Sequence, residues 1–292
     1  MSAWIAPRES DPYQNDNGVQ TMKVAQTPTE RTIQVDGVDI SVVTAGSGGG
    51  VPLVLISGLG TSMHSWAALR AGLSDRRRVV MFDLPDDLRR GAAPVRMRGQ
   101  ARRVSRLLES LGIDRADVLG YSWGGALAQQ LVLDDPERVR GAVLAATNYG
   151  LGSLPVAPGP LLRLLTGRAR SGESLAGYLG MLWPGATGPG GASAGVYAQQ
   201  LYAFSWWSSV FRLRSVRHPT LVVAGDQDPL IPVCTTRTLG RAIPGARIAV
   251  LRDAGHSFLL FDRAEEAGRV VEAFLQTLDD HSRPALRVAA VS

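Results

Sequence analysis

LGYSWGGALAQQ, residues Leu119–Gln130, holds Gly120, Ser122 and Gly124 at the spacing G-x-S-x-G. The spacing alone decides nothing, because GASAG at 191–195 repeats it around Ser193 and the chain carries 33 glycines in 292 residues. Context separates the two serines. Ser122 is preceded by the apolar run DVLG and followed by the small-residue helix start Gly124-Gly125-Ala126. A serine on a sharp strand-to-helix turn stands above the sheet edge, and glycines beside it let helix and strand approach closely. Ser193 follows WPGATGPG, which cannot form a buried strand, so its match is a coincidence of glycine content.

Outward from this stretch, strand and helix patterns alternate. TIQVDGVDISVV (32–43) is two β-branched runs joined at Asp36-Gly37, a hairpin signal. LVLIS (53–57) is a continuous apolar run, as expected of a strand buried on both faces of a parallel sheet. SWAALRAGL (65–73) reads as helix and RVVMFD (78–83) as strand. Residues 96–112 form an amphipathic helix with Val104, Leu107, Leu108 and Leu111 at helical spacing and Gly112 as its stop. DVLGYS (117–122) is a strand, 124–136 a helix closed by Pro136, and GAVLAAT (141–147) another strand. Such alternation predicts an α/β fold: a mostly parallel sheet with helices on both faces.

The rhythm breaks over 148–216, which is rich in Gly and Pro and carries Tyr197, Tyr202, Phe204, Trp206, Trp207 and Phe211 but no run resembling a buried strand. It resumes with the strand TLVVAG (220–225), a helix near 233–242, the strand RIAVL (247–251) and a helix at 263–278. The expected organisation is a disordered polar arm (1–30), a first core part (31–147), an insertion (148–216), a second core part (217–280) and a tail (281–292).

Composition narrows the class. The hydrophobic content of 45% is ample for a core, and the single cysteine, Cys234, excludes a disulfide framework or a Cys-based metal site. The net charge of +5 rests on arginine, since Lys23 is the sole lysine, with clusters at Arg76–Arg78, Arg89-Arg90 and Arg96–Arg106. No nucleic-acid motif accompanies these clusters, so they read as solvated helix faces and no nucleic-acid partner is expected. The first twenty residues lack the pattern of a signal peptide, and no apolar run reaches the ~18 residues of a membrane span. A soluble, cytoplasmic protein is expected; its oligomeric state is not readable.

A serine hydroxyl needs a base to take its proton. Of the four histidines, His281 lies in the polar tail and His218 directly precedes Pro219. His256, in DAGHSFLL, follows the last expected strand and emerges at the same sheet edge as Ser122. His64, in the loop after LVLIS, is a secondary candidate that could line a pocket. The base in turn needs an acid to fix its tautomer. AGDQDPLIP offers Asp226 and Asp228 at the end of strand 220–225, and Asp226 reads as the turn cap. Two backbone N–H groups would complete an oxyanion site: that of Trp123, after the serine, and that of Leu59 in the loop SGLGTS.

LGYSWGGALAQQ, LVVAGDQDPLIP, IPGA and DAGHSFLL together resemble the α/β-hydrolase superfamily, and within it the intracellular medium-chain poly(3-hydroxyalkanoate) depolymerases. The likeness spans about residues 31–280, dense at these motifs and thin in the insertion. It implies Ser122 as nucleophile, Asp228 as acid and His256 as base, with no cofactor and no metal. It also implies that the insertion is a helical lid, with Trp206, Trp207 and His64 as candidate contacts to an apolar acyl-ester substrate. Two departures stand out. Ser57-Gly58 stands where the superfamily commonly has His-Gly, a histidine that the depolymerases also tend to lack. FDLPDDLRRGAA places Asp86, Asp87 and Arg89 where the family has Asp-x-Pro-Gly-x-Gly-x-Ser. The leading expectation is an esterase acting on hydroxyacyl esters. The alternatives are a hydrolase or cyclase of specialised metabolism, and a ligand-binding member of the fold without chemistry.

Overall fold

The computed structural model describes residues 28–73, 76–151, 153, 193–261 and 263–282. Most of the expected arm, most of the insertion and most of the tail lie outside them. The strands are β1 (Thr29–Val35), β2 (Val38–Ala45), β3 (Leu53–Ile56), β4 (Val79–Phe82), β5 (Ala116–Tyr121), β6 (Val139–Ala145), β7 (Thr220–Gly225) and β8 (Arg247–Leu251). The helices are α1 (Ala67–Leu73), α2 (Met97–Ser110), α3 (Trp123–Asp134), α4 (Ala194–Phe204), α5 (Val233–Ala242) and α6 (Ala264–Ser282). β1 begins at Thr29, so the boundary expected after residue 30 falls inside a strand. α6 likewise runs past residue 280.

The eight strands form one sheet in the order β1-β2-β4-β3-β5-β6-β7-β8. β1 and β2 make the antiparallel hairpin, β2 pairs antiparallel with β4, and every later pairing is parallel. Every residue of β3 through β7 is buried, which is why these strands read as apolar runs, broken only by the paired Asp117 and Arg140, rather than as alternating ones. Alternate side chains enter two separate cores. Val54, Ile56, Val118, Leu144 and Val222 meet α2, α3 and α5 on one face. Leu55, Leu119, Tyr121, Val143 and Val223 meet α1 and α6 on the other.

The order of strand addition reverses about β3, with β4 on one side and β5 on the other, all three running parallel. In such sheets a crevice opens at the carboxyl ends of the strands beside the switch point. The loops after β3, β5, β7 and β8 all emerge at that edge. Among the described residues, no helix is long and apolar enough to cross a membrane.

Candidate active site

Ser122 sits between β5 and α3 with φ +53° and ψ −116°, one of few non-glycine residues at positive φ. Such a conformation costs on the order of 1–3 kcal/mol and persists only where the surroundings over-determine it. Here they do. Ser122 N–H donates to Ala145 O at 2.9 Å, and Ser122 O accepts from Gly125 N–H at 2.9 Å and from Thr147 Oγ1 at 2.7 Å. The glycines around it are steric necessities: a Cβ at Gly120 would collide with the Gly124 carbonyl, and one at Gly124 with the Ile56 carbonyl. Helix α3 therefore enters directly against the strand ends.

His256 and Asp228 arrive from the loops after β8 and β7. His256 Nε2 lies 3.1 Å from Ser122 Oγ, and its Nδ1 lies 2.7 Å from Asp228 Oδ2. A carboxylate can only accept, so the proton rests on Nδ1 and Nε2 turns a lone pair towards the serine. The other carboxylate oxygen of Asp228 accepts from Leu230 N–H at 2.8 Å and Ile231 N–H at 2.9 Å. His256 and Asp228 are both buried. Asp226, by contrast, is exposed; its backbone pairs with Leu251 O, and its side chain accepts from Ala254 N–H at 3.4 Å. It fastens the two loops together and stands apart from the serine.

Tyr121 escapes a motif reading because a buried tyrosine in a strand looks like core. Its hydroxyl donates to the backbone carbonyl of His256 at 3.1 Å. Its ring leans on the imidazole at 5.4 Å and meets Trp66 edge-on at 6.2 Å. Trp66 Nε1 donates to Ser57 Oγ at 3.0 Å, so the serine standing where the superfamily commonly has histidine is engaged with the core.

The loop after β3 passes beside Ser122: a Cβ at Gly58 would lie 3.4 Å from Ser122 Cβ. Thr61 holds the Gly58 carbonyl through both its N–H (3.3 Å) and its Oγ1 (3.1 Å). Leu59 is buried in this loop, and among the described hydrogen bonds its N–H takes part in none. Trp123 is the first residue of α3, and the first N–H groups of a helix have no acceptor within it.

Three further side chains were expected at the substrate. Trp207 is buried against α3: its Nε1 donates to Gln130 Oε1 at 2.8 Å, and its ring packs on Phe204 at 5.7 Å. Gln130 lies eight residues beyond Ser122, roughly 12 Å along the helix, so the indole nitrogen is anchored well along α3. An aromatic with a polar tip satisfies both needs at the α3 interface. Trp206 is 80% exposed. His64 is exposed on the short helical turn before α1. It sits near Asp83, whose carboxyl is pushed up by burial although Met63 N–H donates to it.

Ser193 has a structural task. It caps α4, accepting from Val196 N–H at 3.1 Å, and its hydroxyl bonds Asp86. The loop Asp83–Ala92, expected to depart from the family's shape, is pinned from two sides. Arg103 of α2 forks onto Asp87 at 2.9 and 3.1 Å. From α4, Gln199 accepts Asp87 N–H at 3.0 Å and donates to Pro85 O at 2.5 Å. Arg103 thus belongs to an internal pair rather than to a solvated face. Among the described residues no group of three or more metal-ligating side chains occurs.

The alpha/beta hydrolase family model matches residues 53–273. A poly(3-hydroxyalkanoate) depolymerase from Ectopseudomonas oleovorans is 33% identical over 277 residues, covering 87% of this chain and 96% of the relative. A magnesium-chelatase 30 kDa subunit from Rhodobacter capsulatus is 29% identical over 248 residues, covering 76% and 86%. The enol-lactonase of Burkholderia xenovorans LB400 superposes with a TM-score of 0.71 at 24% identity, covering 84% of this chain and all of that one, a likeness of fold. Sheet order, strand-end loops and the family match converge on one conclusion: this chain is a member of the alpha/beta hydrolase family.

Proposed function

We propose that the protein is a serine esterase acting on aliphatic hydroxyacyl esters, with medium-chain poly(3-hydroxyalkanoate) or its oligomers as substrate. The observation that carries the chemistry is the continuous hydrogen-bonded line Ser122 Oγ, His256, Asp228 at the carboxyl edge of the sheet. Ser122 Oγ attacks the ester carbonyl carbon while His256 Nε2 takes the hydroxyl proton, and Asp228 stabilises the resulting imidazolium. The negative charge on the carbonyl oxygen is met by the N–H groups of Leu59 and Trp123. Collapse expels the alcohol, which leaves with the proton from His256. Water then attacks the acyl-serine, giving its proton to His256, and the acid departs as Ser122 is restored.

The substrate class is supported by the depolymerase relative, matched over 96% of its length. Tyr197 of α4 lies half-buried over Gly60, and burial pushes its phenol up to about 12. One observation favours a second reading, a hydrolase or cyclase of specialised metabolism. The loop Asp83–Ala92 is fastened by the Asp87–Arg103 pair where the depolymerase pattern has glycines.

p-Nitrophenyl esters of graded length test the proposal. Each methylene buried contributes roughly 0.8 kcal/mol, about fourfold, so kcat/KM should climb from acetyl to about octanoyl and then flatten, with clearing of polymer emulsions. A maximum at acetyl with good turnover of a small lactone supports the second reading. Absence of hydrolysis alongside tight binding of acyl esters would mean a binding protein.

A further inference from the structure

We propose that Gln200 is a positioning residue for the oxyanion site, an inference that rests on the serine-esterase reading above. Helix α4 carries two adjacent buried amides, Gln199 and Gln200, and each grips a different loop. Gln199 holds the loop at Pro85–Asp87. Gln200 Oε1 accepts the N–H of Gly60 at 2.9 Å, and its backbone carbonyl accepts Trp123 Nε1 at 2.8 Å. One residue of the insertion is thereby bonded to the neighbour of each proposed oxyanion donor: the amide after Leu59, and the indole of Trp123 itself.

Peptide planarity makes this bond consequential. The Leu59 N–H lies in the same plane as the Gly58 carbonyl, which Thr61 fixes from one side. The next peptide, between Leu59 and Gly60, is free to turn unless something holds it, because Gly60 sits at φ +71°, where glycine tolerates either hand. Gln200 is that restraint. It also occupies the Gly60 N–H, so that this donor does not swing into the site in place of Leu59. Tyr197, one turn earlier on α4, covers the same glycine. The oxyanion geometry is therefore set in part by a helix of the insertion.

Gln200→Met, which keeps volume and removes the acceptor, should lower kcat roughly 10- to 100-fold, the scale of an ångström-level misplacement, with KM little changed. Affinity for an octyl trifluoromethyl ketone, whose serine adduct carries the oxyanion, should fall by the same factor as kcat/KM, while affinity for octanoate stays put. Ser209→Ala serves as control, because it removes another buried bond between the insertion and α3, Ser209 Oγ to Gln129 Oε1 at 2.7 Å. It should lower Tm without lowering ketone affinity. Should Gln200→Met fold poorly, Trp123→Phe cuts the indole bond while sparing the backbone N–H, and should show a weaker form of the same signature. Wild-type kcat and ketone affinity in both variants, with loss of Tm alone, would overturn the inference. A wild-type protein that neither hydrolyses esters nor forms a ketone adduct would overturn the serine-esterase reading instead.

Discussion

Ser122 is held at φ +53° by hydrogen bonds with the end of β6 and the loop beyond it, so the aim of the proposed nucleophile is a property of three segments meeting. The same holds for Asp228, whose Oδ1 is saturated by two backbone N–H groups and whose Oδ2 is left for His256. Asp228→Asn should cut kcat by about four orders of magnitude, because an amide in that place favours the wrong imidazole tautomer, with Tm nearly unchanged. Asp226→Asn should leave kcat within a small factor and act on stability alone; steady-state kinetics beside thermal melts reads both. Ser122, Asp228 and His256 were legible in the sequence because each follows a strand whose apolar run is unmistakable. Tyr121 and Gln200 were not, since their tasks depend on which loop happens to lie opposite. A signal existed all the same: A-Q-Q-L occurs at 128–131 and again at 198–201, both within otherwise apolar helical runs. A polar pair repeated in apolar surroundings needs buried partners, and all four glutamines have them.

At the level of elements, the strands TLVVAG and RIAVL and the helix between them occupy the residues expected from their patterns. Period and turn residues dominate there, and nothing outside the sheet competes. The ends of the chain fared less well. Helix α6 continues beyond the expected end at 278 through Asp279, which is paired with Arg77 at 3.3 Å and Arg140 at 2.7 Å. Aromatic side chains of the insertion were legible as a group and not singly, because an amphipathic interface and a pocket wall draw on the same residues. Trp207 illustrates this, docking the insertion's return segment onto Gln130 of α3. Trp207→Ala should destabilise by about 3–5 kcal/mol, the usual cost of deleting a large buried ring, measured by denaturant unfolding.

Across the whole molecule, the edge carrying the proposed site is balanced by an ionic cluster that ties α6 to the opposite end of the strands. Arg140 forks onto the fully buried Asp117 at 2.9 and 2.5 Å, and Arg77 onto Glu272 at 2.8 Å in both contacts. Burial pushes the Asp117 carboxyl up while Arg140 pulls it down. Arg140→Met, which strands that carboxyl, should cost about 3–5 kcal/mol, whereas Asp117→Asn combined with Arg140→Met should recover part of the loss. Equilibrium unfolding of the two variants decides it. Two arginines that looked like a solvated surface are spent on such pairs, Arg77 with Glu272 and Arg103 with Asp87, whereas Arg98 beside Asp134 stays exposed. Seen at this scale, the sheet presents strand-end loops on one edge, the ionic cluster anchors α6 away from it, and the insertion's α4 closes on the loops from above. We propose that this edge carries a single activated serine. The mass of the peptides left after reaction with an alkyl fluorophosphonate tests this. One adduct is expected, on the peptide containing Ser122, lost in Ser122→Ala and greatly slowed in His256→Ala. An adduct on Ser193 or any other serine, or ester hydrolysis surviving in Ser122→Ala, would contradict it.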